Sequence, residues 1–190
     1  MVHIWIPKFL RPERVQLIGS VVTVLTSRTG KKDIRKVRNI VTDAGDLYYA
    51  ERGALLTTGT PISPVPTNFT DTNGVPDMIM ELYQNDSGAP AKGNDRSDLG
   101  TQVGTGKAMD SGYPQNDDMD SDNTGAGADI ITYLVSFTTA EVNGSIDDVI
   151  LTNPSPGATE PLLMHADGLA RTKTSSDTLK VFVNHQMNGV

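Results

Sequence analysis

The sequence predicts an all-β fold, mainly an antiparallel β-sandwich, with one short α-helix, long loops and an extended N-terminal arm. Three observations predict it. Residues 130–137 alternate with period two, so that Ile131, Tyr133, Val135 and Phe137 share one apolar side of a strand. The 190 residues include 18 Gly and 11 Pro, which favour many turns. Only 37% are hydrophobic and 5% aromatic, which indicates a modest core.

The chain begins with an expected arm at residues 1–14, in which Pro7 and Pro12 break any regular element. The arm is apolar, and its candidate partner-binding residues are Trp5, Ile6, Phe9 and Leu10. An apolar terminus has to be buried somewhere, either on its own domain or in a pocket of a partner, where Trp is favoured. We therefore divide the chain into residues 1–30, the arm and first strand, and residues 31–190, the sandwich domain.

The first half predicts two strands, a helix and a third strand. Residues 15–26 predict one strand, or two with a kink at Gly19, and residues 33–41 predict a strand with a basic edge. Residues 42–54 predict a helix, with Thr42 as N-cap, Gly53 at the C-cap, and Leu47 and Tyr48 among the residues facing the core. A Pro-rich loop follows, and residues 77–83 predict a strand.

A polar, acidic loop is expected over residues 84–129, and a loop of this length is usually functional or ordered by a partner. After it, residues 130–137 and 145–151 predict a hairpin whose linker ends in the turn dipeptide Asn143-Gly144. Residues 160–170 predict a further strand, 172–177 a polar connection, and 178–184 a closing strand. Leu179, Val181 and Val183 share one side of that last strand.

Charge is unevenly distributed along the chain. Residues 1–60 hold ten Lys/Arg and five Asp/Glu, whereas residues 61–190 hold six and eighteen. This pattern is typical either of two solvated faces or of head-to-tail contact between copies. Overall acidity (net charge −7) argues against nucleic acid as a partner, and no apolar run is long enough to span a membrane. Without Cys, thiol chemistry and Cys-based zinc sites are excluded.

One acidic motif predicts a candidate Ca²⁺ site at Asp118, Asp120, Asp122 and Asp129, which have the spacing of oxygen ligands in a calcium loop. Asn123 stands where Gly is required, and Asp129 where a bidentate Glu is required, so a solvated acidic loop is the alternative. Calorimetric titration with Ca²⁺ distinguishes the two. No other cofactor is expected.

Catalytic patterns fail in detail. Residues 100–107 (GTQVGTGK) resemble a phosphate loop, but Thr101 and Ala108 replace required residues. The pairs at 117–118 and 147–148 lack the aromatic residues of a sugar site, and the three His follow no ligand pattern. The sequence therefore does not predict an enzyme.

The chain resembles structural proteins of tailed bacteriophages over about residues 33–184. The motif G-x-I-x-E-V-G-L is similar to residues 143–151 (NGSIDDVIL), and L-A-R…T-K-T-x-S-D-T-L-x-V is similar to residues 169–181 (LARTKTSSDTLKV). The chain departs from the group where Ile150-Leu151 replaces Gly-Leu and where the 84–129 loop is longer. The resemblance implies a β-sandwich component of the virion, on the head, neck or tail.

We therefore expect a non-enzymatic virion protein, for example a capsid decoration (cement) protein or a head–tail or tail component. It would associate with copies of itself, as a trimer or ring, and dock on other virion proteins such as capsid or tail proteins. The alternative is a Ca²⁺-dependent glycan-binding module used in host adsorption, against which the scarcity of aromatic residues argues.

Overall fold

The computed structural model describes residues 16–55, 69, 77–84, 88–115, 130–154, 157 and 160–188; for residues 16–18, 50–55 and 187–188 it describes the backbone only. Within these residues no helix is long and apolar enough to cross a membrane. The elements in chain order are β1 (Gln16–Thr26), β2 (Lys32–Val41), α1 (Asp43–Leu55), β3 (Ile79–Tyr83), a 3-10 turn (Arg96–Asp98), β4 (Lys107–Ala108), β5 (Ile130–Phe137), β6 (Gly144–Ile146), β7 (Asp148–Thr152), β8 (Leu162–Ala166), β9 (Arg171–Lys173) and β10 (Thr178–Asn188).

The strands form one eight-stranded antiparallel sheet and a separate two-stranded ribbon. The sheet order is β4-β3-β7-β8-β2-β1-β10-β5, and the ribbon pairs β6 with β9. The prediction of an all-β, mainly antiparallel fold with one short helix and long loops is confirmed. The expected N-terminal arm lies outside the described residues.

The large sheet curls until its two edges meet. The segment that follows β4 runs along β5, where the Asp110 N–H donates to the Leu134 carbonyl at 2.8 Å. Farther along, Gln115 and Thr132 exchange two backbone hydrogen bonds of 2.9 and 2.8 Å. These bonds join the segment after the edge strand β4 to the other edge strand, β5, so the sheet is nearly closed like a barrel.

The interior of this barrel is the main hydrophobic core. The inward residues of β5 and β10 are those that the period-two patterns predict, namely Tyr133, Val135, Phe137, Leu179, Val181 and Val183, and all are buried. A fully buried side chain of this size stabilises the fold by about 1.5–3 kcal/mol relative to an exposed one. The expected orientation of both strands is therefore confirmed.

The predicted hairpin of residues 130–137 and 145–151 is wrong. β5 pairs with β10, β6 pairs with β9, and β7 lies between β3 and β8. The linker instead changes direction at Val142 and Gly144, which have positive φ angles of 47° and 147°. Residues 130–137 form one strand as predicted, whereas residues 145–151 are divided between β6 and β7, which belong to different sheets.

Helix α1 begins where the sequence predicts. The Thr42 side chain caps it by accepting from the Gly45 N–H at 3.1 Å, and Tyr48 is buried as expected. Leu47 was expected in the core but is 47% exposed, because Tyr48 and Tyr49 occupy the inward side. The helix also continues through Gly53 to Leu55, so Gly53 is not its C-cap.

A buried polar chain joins α1 to the barrel interior. The Asn39 side-chain amide donates to Nε2 of His185 at 2.7 Å, and the Tyr49 hydroxyl lies 2.5 Å from Nδ1 of the same ring. The Tyr49 and Tyr133 hydroxyls are 2.8 Å apart. Burial lowers the pKa of His185 to about 3, so the imidazole is neutral at physiological pH.

We expect Gly19→Ala to destabilise the protein by about 1–3 kcal/mol, measured by urea denaturation. A Cβ at Gly19 would lie 1.7 Å from Oδ1 of Asn39, whose amide is held by His185. Gly93→Ala is the matched control, since its Cβ would meet no atom within 4 Å. Equal stabilities of the two variants would contradict the close approach of β1 and Asn39.

We expect stability to fall as the pH falls from about 6.5 towards 3, in part because of His185. The unfolded chain binds a proton at the ordinary pKa of about 6.5, whereas the folded chain does not do so until about pH 3. This group contributes a slope of up to about 1.4 kcal/mol per pH unit. Between pH 6.5 and 5, His185→Gln should show a shallower dependence in urea denaturation, and an unchanged slope would contradict the assignment.

Candidate functional site

The outer surface of β3, β7 and β8 is covered by the segment that contains the 3-10 turn. Arg96 of that turn forms a two-pronged ion pair with Glu81 of β3, with N–O distances of 3.1 and 3.2 Å, and both side chains are about nine-tenths buried. The guanidinium also donates to the carbonyls of Asn153 and Gly157. Burial and the Glu81 carboxylate raise the pKa of Tyr83, whose hydroxyl donates to Glu81. This covering segment is therefore anchored by a satisfied polar cluster.

A buried His–Asp pair lies beside that cluster. Nε2 of His165 is 2.9 Å from Oδ1 of Asp148, and Nδ1 is 3.2 Å from Oδ1 of Asn94. The Asn94 oxygen also accepts from the Ala91 N–H, which fixes the orientation of the amide. Because His165 and Asp148 are both 1% exposed or less, the pair cannot reach a solvent-borne substrate, and we assign it to structure.

A buried arginine joins the β6–β9 ribbon to strands β1 and β2 of the large sheet. Arg171 of β9 donates to the Thr23 hydroxyl and, at 3.0 Å, to the Thr23 carbonyl. It also donates to the Asp33 carboxylate at 3.1 Å and the Asp33 carbonyl at 2.9 Å. Arg35 adds hydrogen bonds to the carbonyls of Leu169 and Ala170. The projecting part of the β1–β2 hairpin is thereby fixed from its inner side.

The outer side of the same hairpin is the candidate functional site. Lys32, Ile34, Lys36 and Arg38 of β2 alternate with the inward residues Val37 and Asn39 and point to the outside. Ile34 pairs through Val24 of β1 with Lys180 of β10, so their side chains share this side of the sheet. We call the set Lys32, Ile34, Lys36, Arg38, Val24 and Lys180, with the turn residues Arg28 and Lys31, the basic face.

The cations of the basic face lack counter-ions among the described residues. Six described side chains form no ion pair or hydrogen bond there: Arg28, Lys31, Lys32, Lys36, Arg38 and Lys180. The other six cations whose side chains the structure describes are all held by partners: Arg35 and Arg171 by Asp33, Lys92 by Asp46, Arg96 by Glu81, Lys107 by Glu141, and Lys173 by Asn143. Cations without described partners are therefore concentrated on one side of one hairpin and its neighbouring strand.

Apolar residues lie between these cations. Ile34 is 59% exposed, the most exposed large apolar side chain among the described residues. Val24 and Phe182 on the neighbouring strands are partly exposed. Lys residues alone would protect an edge strand from aggregation. Protection does not require an exposed Ile among them, so Ile34 adds apolar area that a protein partner can bury.

The candidate residues named from the sequence lie outside the described part of the chain. This holds for the arm residues Trp5, Ile6, Phe9 and Leu10, and for the candidate Ca²⁺ ligands Asp118, Asp120, Asp122 and Asp129. Sequence reasoning did identify the basic cluster but interpreted it as a solvated edge. It missed the His165–Asp148 pair and the buried Arg171, because their contacts depend on strand pairings distant in sequence.

Neither metal chemistry nor relatives add to this description. In the described ranges, no group of three or more His, Asp or Glu side chains could hold a metal ion. Comparison with protein-family models, with curated proteins and with solved structures gives no match. The candidate site therefore depends on the geometry and charge of the basic face alone.

We expect Arg171→Met to destabilise the protein by about 2–4 kcal/mol, because it removes charge-assisted hydrogen bonds at a 2% exposed position. Arg171→Lys should recover little of this lost stability, since one ammonium group cannot reach all the acceptors that the guanidinium contacts. Arg28→Met in the exposed turn is the matched control and should change stability by less than about 0.5 kcal/mol. Chemical denaturation measures all three, and equal effects at the two positions would contradict the role of Arg171.

Proposed function

We propose that the chain is a non-enzymatic structural protein of a tailed-bacteriophage particle, and that it docks through the basic face on copies of itself or on other particle proteins. The observation that carries the proposal is the concentration of six cations without described counter-ions around the exposed Ile34. The residues of the resemblance, at 143–151 and 169–181, point to the same class of protein.

The position of the basic face in the fold supports an interaction role. Its residues lie on paired strands, and Arg171 and Arg35 fix those strands from the inner side. A surface on rigid strands loses little conformational entropy when it binds a partner. The chain as a whole has a net charge of −7, so the basic face is a local exception to an acidic surface. An acidic partner would therefore be attracted to the basic face and repelled by the rest of the chain.

The described histidines are consistent with a structural role. His165 and His185, the two histidines of the described part, are both fully buried. General acid–base catalysis needs a titratable group within reach of substrate, which neither side chain offers.

The test is the protein content of purified particles from the phage that encodes the chain. We expect mass spectrometry to find the chain at a fixed ratio to the capsid protein, and electron microscopy to place it on the particle surface. The double variant Lys36→Glu/Arg38→Glu should lower its copy number at least about tenfold, because like charges would meet at the interface. Leu47→Gln, which changes the exposed Leu of α1, is the control and should leave the copy number unchanged. Absence of the chain from particles would refute the proposal.

A further inference from the structure

The basic face borders an open sheet edge. β2 pairs with β1 along Lys32–Asn39, but with β8 only along Asn39–Val41. Residues 32–38 therefore have no strand on their second side among the described residues. In an antiparallel pair, alternate residues direct their N–H and C=O groups away from the partner strand. These groups form a template to which another extended segment can add.

The side chains along this edge select for acidic segments. Lys32, Lys36 and Arg38 stand at every second position except one, and Ile34 takes the remaining position. The pairing of β1 with β2 is regular over this length, so no bulge closes the edge. A segment with basic side chains would be repelled, whereas one with carboxylates at every second position, roughly 6.6 Å apart, can place two of them opposite Lys36 and Arg38.

The chain itself contains such a segment. Residues 108–170 include eleven Asp/Glu and no Lys or Arg. Within them, Asp118, Asp120 and Asp122 alternate as D-x-D-x-D, and residues two apart lie on the same side of an extended strand. Any three consecutive positions on this side of β2 include Ile34, so two of the three carboxylates would lie opposite cations and the third opposite Ile34. Oppositely charged residues at cross-strand positions contribute roughly 0.2–1 kcal/mol each.

We propose that the segment containing Asp118, Asp120 and Asp122 of one copy adds as a strand to the β2 edge, residues 32–38, of a second copy. This proposal rests on the self-association included in the proposed function. It assigns the acidic segment of one copy and the β2 edge of the other as the two contacting surfaces. The contact is head to tail, since donor and acceptor are different parts of the chain. Such contacts generate rings when the rotation between copies closes and open chains when it does not.

A complementation experiment tests this pairing. The acceptor variant Lys36→Glu/Arg38→Glu keeps its acidic segment, and the donor variant Asp118→Asn/Asp120→Asn/Asp122→Asn keeps its β2 edge. Sedimentation velocity at physiological salt should show that the native chain associates and that each variant alone associates less. The two charge pairs lost in the donor variant correspond to a weakening of up to about 30-fold, and the reversed charges of the acceptor variant should weaken association further. An equimolar mixture should form a 1:1 dimer, because one intact donor and one intact acceptor remain.

Matched apolar variants give a second measurement. Ile34→Thr keeps a β-branched residue in the strand and should weaken association, whereas Leu47→Gln on α1 should not. Circular dichroism melting of each variant verifies that it is folded.

Three results would overturn the inference. The first is an equimolar mixture of the two variants that stays monomeric. The second is an acceptor or donor variant that associates as strongly as the native chain. The third is a native chain that binds a duplex DNA probe through Lys36 and Arg38 but does not self-associate. A monomeric mixture, while the chain is still found in purified particles, would refute this pairing and leave the proposed function standing. Absence from particles would refute the function instead.

Discussion

The contact between Arg171 and the β1–β2 hairpin is the interaction on which the candidate site depends. Past Asn39 towards the turn, β1 is the only neighbour of β2 that the described part of the chain provides. A two-stranded ribbon is marginally stable in water by itself. Arg171 supports it from within by bonding Thr23 on one strand and Asp33 on the other. Burial lowers the pKa of Arg171, yet an arginine stays ionised in proteins, so the buried charge must be satisfied by these acceptors.

The treatment of charge differs between the interior and the basic face. In the interior, the Arg96 guanidinium meets Glu81, and Lys173, whose pKa is lowered by burial, donates to Asn143. Leaving such charges unpaired would cost several kcal/mol each. On the basic face water solvates the cations, so their lack of described counter-ions costs little in the isolated chain. When a partner binds, these cations attract acidic surfaces and repel basic ones, so the basic face discriminates between the two.

The sequence predicted the elements of this fold better than their arrangement. The period-two patterns of β5 and β10 and the Thr42 cap of α1 were recognisable, because they depend on residues close together in the chain. The hairpin of residues 130–151 was wrong, since the partners of β5 and β7 are set by packing between distant segments. β9 was taken for a polar connection, because Arg171 and Lys173 have the composition of an exposed strand although both are buried.

The same limit applies to the candidate site. The cluster of Lys and Arg in residues 31–38 is evident in the sequence, but its interpretation required the sheet order. Only the pairing of β2 with β1 and β8 shows that residues 32–38 have one strand neighbour among the described residues, and only the burial of the strand shows that Ile34 is exposed among the cations. The alternating Asp residues at 118–122 predicted a Ca²⁺ loop from the sequence. The β2 edge of a second copy, residues 32–38, is the alternative partner that we propose for them.

The central claim is that the β2 edge is open in the single chain and occupied when copies associate. Amide hydrogen exchange of residues 32–38, measured by NMR or mass spectrometry at low and high protein concentration, tests this most directly. We predict that alternate amides of this stretch exchange rapidly in the monomer and become protected on association, while the amides of α1 do not change. Protection that is already complete in the monomer, or that appears on association only outside residues 32–38, would contradict the account.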